Sequence, residues 1–226
     1  MQCYMRQFRD TYQTCFRDRA YVVSFLVSLV FLVASIGANY MAAVYATEQQ
    51  SSSVTDIVLS NTPAFDLDGV FIWGPLVLYG FLLVLLIWEP RRIPFVVKSI
   101  ALFVIIRAVF VSVTHIGPFP LEEVFDPPSY MRMFITGADL FFSGHTGLPY
   151  LLALTFWHDW RLRSVFLSAA VLFGAVVLLV HAHYTIDVLA AFFITYTIHH
   201  IALRLFRQDS ERLEHGLSQP QDVATT

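Results

Sequence analysis

Two short stretches hold the residues best able to do covalent chemistry. In His181-Ala182-His183-Tyr184-Thr185-Ile186-Asp187, His183 and Asp187 stand four apart, a spacing that puts both on one face of a helix. A carboxylate so placed accepts the Nδ1 proton of the imidazole. That leaves Nε2 as a nucleophile or base and stabilises the cation formed on reaction. Histidine and aspartate at this spacing are common, so the pair taken alone leaves a structural role open. In Ser143-Gly144-His145-Thr146 a second imidazole follows a glycine break. Backbone N–H groups at a helix start, with the Ser143 and Thr146 hydroxyls, suit a phosphate oxyanion, and Arg107 adds a planar cation for the same anion. Without that company His145 reads equally well as a core histidine bonded to a neighbouring carbonyl.

The elements that must carry these residues are membrane spans. Of 226 residues 57% are hydrophobic and 14% charged, against about 25% charged in soluble domains, so the chain cannot cover a soluble surface. No basic stripe suits nucleic acid, and no GxxxxGK[ST] pattern is present. Cys3 and Cys15 both precede the first apolar run, which fits acylation or no role better than a disulfide framework. That run is too long for a cleaved signal peptide and reads as retained. Six candidate helices follow, at about 20–45, 69–88, 93–115, 139–157, 164–182 and 184–205, each near the roughly 20 residues a bilayer needs. The expected fold is all-α, an integral membrane bundle of six transmembrane helices. Residues 1–19 form a cytoplasmic segment, 20–205 the catalytic domain and 206–226 a polar, frayed cytoplasmic tail.

Eleven of the fourteen basic residues fall before span one, in the short loops after spans two and four, or at and beyond the C-terminal end of span six, which places both termini in the cytoplasm. The two long connections, 47–68 and 116–138, are acidic and exoplasmic. Tyr4, Phe8, Tyr12 and Phe16 recur every four residues among arginines, as in a helix lying on the inner leaflet, with a partner-binding segment as the alternative. On this topology Arg107 lies roughly 12 Å and His145 roughly 9 Å below the outer surface. His183 sits at the mouth, with Asp187 one turn deeper. Lys98 is near the inner end and is expected to snorkel to the headgroups. His181 reads as substrate-facing or structural, His115 as an interface residue or a wall of the site. His199 and His200 read as interfacial, His158 and His215 as solvated.

The stretch from Gly137 to Thr146, ending in Ser143-Gly144-His145, resembles the third signature of the sphingomyelin synthase family, and His183-Tyr-Thr-Ile-Asp187-Val its fourth. Arg91-Arg92 and the segment from Arg107 to Pro120 resemble the second, and Asp56 to Pro63 sits where the first would fall. The resemblance covers roughly residues 50–205. It departs at Gly137-Ala138, where Cys-Gly is usual, and at Ala182, where an acidic residue is usual. It implies six spans, an exoplasmic site, a catalytic triad of His145, His183 and Asp187, and transfer of a phospho-headgroup from a glycerophospholipid to ceramide. The implied partners are a phospholipid donor, a ceramide-like acceptor and membrane lipids, and a homo-oligomer is compatible with the sequence. Arg107, Ser143, Gly144, Thr146, Tyr184 and Asp139 are the expected substrate-binding residues; Asp139, Glu122 and Glu123 are candidates to orient His145. Exchange of one phosphoester for another requires no cofactor or metal. Lipid phosphate phosphatases share the SGH stretch and the His/Asp pair, but their KxxxxxxRP and SRxxxxxH motifs are incomplete here. With water as acceptor the same residues would make a lipid phosphatase or phospholipase C. A membrane haem or metal protein, or a transporter or silent scaffold, is the reading outside enzymology.

Overall fold

The computed structural model describes residues 2–120 and 140–215. Eight helices appear among them: α1 (Gln2–Arg17), α2 (Arg19–Glu48), α3 (Asp68–Trp88), α4 (Ile93–Val113), α5 (Gly144–Thr155), α6 (Trp160–Leu179), α7 (Thr185–Leu205) and α8 (Arg207–His215). Five of these regions, α2, α3, Pro90–Val113, α6 and α7, are long and apolar enough to cross a membrane, which makes this a multi-pass membrane protein. The stretch expected as a fourth span differs. Among the described residues it is the 12-residue helix α5, about 18 Å long at 1.5 Å per residue and short of a bilayer core of about 30 Å.

Side-chain caps fix where several helices start. Asp18 accepts from Ala20 N (2.9 Å) ahead of α2, and Asp159 accepts from Arg161 N and Leu162 N ahead of α6. Such caps satisfy N–H groups that have no partner within the helix. Among the described residues the most extensive helix pairing is α2 on α4. Here α2 buries Ser24, Ser28, Ser35, Ala42, Ala43 and Ala46, small residues that let two backbones approach where lipid supplies no hydrophobic drive. Val23, Val30, Val33 and Met41 on its other face are exposed and meet the acyl chains. Deeper in the bundle, Leu82, Leu86, Val96, Leu152, Phe156 and Phe166 join α3, α4, α5 and α6 in one apolar cluster.

One end of the bundle gathers α1, the turn Pro90–Arg92 and α8. Of the aromatic face expected of the N-terminal segment, Tyr4 lies outside the described side chains, while Phe8 and Tyr12 dock on protein. Phe8 packs on Tyr12 and on Trp88, and the Tyr12 hydroxyl donates to Ile87 O (2.8 Å). Tyr21 donates to Pro90 O beneath it. Cys15 is fully buried there, which closes it to acylation, and burial pushes its thiol pKa up.

Three expectations at this end are corrected. Lys98 does not snorkel: it is buried, donating to Asp209 Oδ2 and Ser24 Oγ, each at 2.7 Å. Residues 207–215 are helix and not a frayed tail, because Asp209 reaches into the bundle for Lys98 while Arg212 bonds both Asp209 and Asp18. His199 is buried within the bundle, whereas its neighbour His200 is exposed and bonds Tyr196 O.

The Lys98–Asp209 pair gives a direct test of how α8 is held. A buried charge stripped of its partner costs about 3–5 kcal/mol, and replacing both partners by apolar residues is often near neutral. Asp209→Leu should therefore lower stability in detergent unfolding by about that amount, and Lys98→Met with Asp209→Leu should recover most of it. Equal losses in the single and double variants would show that the pair does not secure α8.

Candidate active site

The opposite end of the bundle brings the two histidine stretches together. The turn between α6 and α7 is set first. His181 N donates to Leu178 O (3.1 Å) and Ala182 N to Val177 O (2.9 Å), while His181 itself has φ 57°. This is the bond pattern that closes a helix through one left-handed residue, a place glycine usually takes. His181 thus has a conformational task, and its ring packs edge-on against Phe119. The chain is thereby turned to begin α7 at Thr185, with His183 just outside the helix and Asp187 in its first turn.

Asp187 is 1% exposed and His183 7%. Asp187 Oδ2 accepts from Tyr184 N at 3.0 Å and faces His183 Nδ1 at 3.4 Å, as the four-residue spacing requires. The same residue ties α7 to the SGH stretch, since its backbone carbonyl accepts from Ser143 N (3.2 Å). Ser143 in turn caps α5, its hydroxyl accepting from Thr146 N at 3.4 Å. Before it, Phe142 has φ 33° and is fully buried, its ring edge-on to Phe103 and Phe110. A left-handed phenylalanine costs on the order of 1–3 kcal/mol and persists only where packing over-determines it. The reward lies in the direction of its carbonyl, which accepts from Arg107 Nε (3.2 Å).

Arg107 is 8% exposed on α4, and its Nη1 also donates to Asn39 Oδ1 of α2 (3.3 Å). A Cβ added to Gly144 would stand 3.6 Å from Arg107 Nε. The SGH backbone and the guanidinium therefore face each other with nothing bulkier than a glycine between them.

His145 is held by α3. The ring of Phe71 stacks on the imidazole, centroids 4.4 Å apart and 16° between planes. Pro75 lies one turn further along inside α3. His145 and His183 lie within electrostatic reach of one another.

Of the residues singled out from the sequence, Arg107, Ser143, Gly144, His145, Thr146, His183 and Asp187 come together at this end. Tyr184 is present with its ring buried, and its hydroxyl is engaged by backbone, donating to Gly117 O (2.8 Å) and accepting from Val54 N (3.2 Å). Asp139, Glu122 and Glu123 lie outside the described residues. His115 sits at the end of α4, edge-on to Tyr45 and bonded to Ser112 O. Asn39 was not anticipated as part of the site and could have been suspected only as a polar group within a span. From the sequence, Phe71 reads as an aromatic of the outer interface or of a choline cage, and Asp56 opens the segment where the first signature would fall; neither was assigned a contact with the site. No group of three His, Cys, Asp or Glu side chains able to hold a metal comes together among the described residues.

Fold and site define a class: a multi-pass helical membrane protein with two histidines and a carboxylate beside a buried arginine at one end of the bundle. Residues 136–203 are similar to the family model described as PAP2 superfamily C-terminal. The match supports the type 2 phosphatidic acid phosphatase superfamily and points to an enzyme acting on phospholipids, a phosphatase or a phosphotransferase. It takes in His145, His183 and Asp187 over less than a third of the chain. No curated protein and no solved structure matches the chain.

Gly147 sets how closely α5 approaches its neighbours. A Cβ there would meet Phe103 at 2.7 Å and Thr195 Oγ1 at 2.9 Å. Gly147→Ala should therefore displace the start of α5, costing about 1–3 kcal/mol in detergent unfolding. An unchanged unfolding midpoint would mean that the close approach places no demand on α5.

Proposed function

We propose that the protein transfers a phospho-headgroup, phosphocholine or phosphoethanolamine, from a glycerophospholipid to ceramide or a similar lipid alcohol and releases diacylglycerol, as in the sphingomyelin synthase family. The observation that carries the reading is the joining of the two histidine stretches. Ser143 N bonds the Asp187 carbonyl while Phe142 O holds Arg107, so nucleophile, second imidazole and anion-binding groups share one end of the bundle. In the proposed topology that end is exoplasmic.

The reaction runs in two displacements. His183 Nε2 attacks the phosphorus with its lone pair, and the bond from phosphorus to the diacylglycerol oxygen breaks. His145, entering protonated, gives that oxygen its proton. Asp187 keeps the Nδ1 proton of His183 and balances the positive phosphohistidine ring. In the second step His145 takes the proton of the incoming primary hydroxyl as its oxygen attacks phosphorus, and the P–N bond returns its electrons to Nε2. Arg107, with the N–H group of Gly144 and the hydroxyls of Ser143 and Thr146, offsets the charge on the non-bridging oxygens. Asp139 joins this substrate-binding set. Tyr184 supports it by bracing the loops at the mouth.

Transfer is favoured over hydrolysis by the fate of Lys98. It is the only lysine in the chain, and it is bound to Asp209 at the far end of the bundle. The lysine of the phosphatase motif therefore has no counterpart at this site. A recessed site also limits water as a competing acceptor.

The test is mass spectrometry of products from purified protein in liposomes of phosphatidylcholine, phosphatidylethanolamine and ceramide. Phosphoceramide and diacylglycerol should rise together, and His183→Ala should lower both by at least about 10³-fold. Diacylglycerol formed without phosphoceramide, at a rate indifferent to ceramide, would make water the acceptor and the protein a hydrolase.

A further inference from the structure

The connection between α2 and α3 reaches across the mouth of the site and grips the start of α7. Its one carboxylate in contact with α7 is Asp56. Asp56 Oδ2 accepts from Thr185 N at 2.7 Å, and Oδ1 accepts from Thr185 Oγ1 at 2.8 Å. The same Oδ1 accepts from Val58 N (2.9 Å) and Leu59 N (3.1 Å) within its own loop. Thr185 N is one of the N–H groups that a helix start leaves without a partner. Asp56 supplies that partner from 129 positions away in the chain. Leu59, packed with Leu140 and Tyr184, anchors the loop beside it.

We propose that Asp56 is a positioning residue for the His183–Asp187 pair: it fixes the first turn of α7, and through that turn the bearing of the Asp187 carboxylate on the imidazole. This rests on the transfer reaction proposed above. Asp187 itself is held by one oxygen only. Oδ2 takes Tyr184 N and faces His183, while Oδ1 has no hydrogen-bond partner among the described residues. Its direction is therefore set by the backbone of the turn it belongs to, and Asp56 ties that turn to the rest of the protein. Asp56 is not itself placed to exchange protons with substrate, because four donors already occupy it. Burial pushes its carboxyl upward, but the hydrogen bonds from Thr185, Leu59 and Val58 outweigh this and hold it below the ordinary carboxylate range. It stays an anion at the helix N-terminus, where negative charge is favoured.

The test compares wild-type protein, Asp56→Asn and Thr185→Val in liposomes, with 15N spectra of the histidine rings recorded on each and His183→Gln used to assign the His183 signals. Asparagine keeps one acceptor oxygen and turns an N–H group toward a donor. In folded Asp56→Asn protein, kcat should fall about tenfold with KM for the donor lipid within about twofold, because the loss is in orientation. The His183 nitrogens should move from one Nδ1-protonated tautomer toward a mixture. Should Asp56→Asn fail to fold, Thr185→Val, which removes only the hydroxyl bond, should shift the same signals the same way and lower kcat about threefold. Wild-type kcat and unmoved His183 signals in a folded variant would overturn the proposal. The spectra need no turnover. A wild-type protein that releases no diacylglycerol, while its His183 signals still respond to Asp56→Asn, would refute the transfer reaction and uphold the positioning role.

Discussion

One carboxylate oxygen has to meet two demands at the centre of this structure. Asp187 Oδ2 reaches back to Tyr184 N, closing the first turn of α7, and also faces His183 Nδ1. Helix start and imidazole orientation are thus fixed by the same atom, so neither can shift without the other. The Asp187 main chain extends the constraint to a second segment by accepting Ser143 N. Much else at this end follows from it. The left-handed His181 delivers the chain to the turn, the left-handed Phe142 aims a carbonyl at Arg107, and the loop from Ser51 to Leu59 braces the turn from outside.

The two ends of the bundle solve opposite problems. At the site end, polar side chains are tied mainly to backbone groups of neighbouring segments, Arg107 to Phe142 O and Asp187 to Tyr184 N. At the other end a buried cation and anion pair directly, with Lys98, Asp209, Ser24 and Arg212 in one network. Such a network costs desolvation and adds little net stability. It does fix where α8 docks, and it keeps the only lysine away from the chemistry. Between the ends, small residues on α2 bring that helix close to α4, which puts Asn39 within reach of Arg107.

Much of the site could be read from the sequence because its geometry is local. His183 and Asp187 are four apart, and Ser143 stands directly before the helix it caps, so periodicity and capping rules suffice for both. Counting residues along spans also brought Arg107 to the level of the histidines. The contacts that escaped are long-range. Asp56 and Thr185 are 129 positions apart, and Asn39 and Arg107 are 68 apart. Phe71 and His145 stack across 74 positions of chain. Lys98 was misread for a related reason: its partner lies in a segment whose polarity suggested a solvated tail. The helical, multi-pass character was plain from composition. The fourth expected span was not, since hydropathy alone does not reveal that α5 starts only at Gly144 and carries Pro149 inside it.

The covalent step can be examined directly. Phosphoramidates on histidine survive base and break down in acid, so rapid alkaline quenching during turnover of phosphatidylcholine, followed by peptide mass spectrometry, would locate any adduct. A phosphocholine group on His183, lost on acid treatment and absent from Asp187→Ala protein, is the expected result. Steady product formation with no adduct on His183, or with the adduct on His145, would contradict the assignment of His183 as the nucleophile.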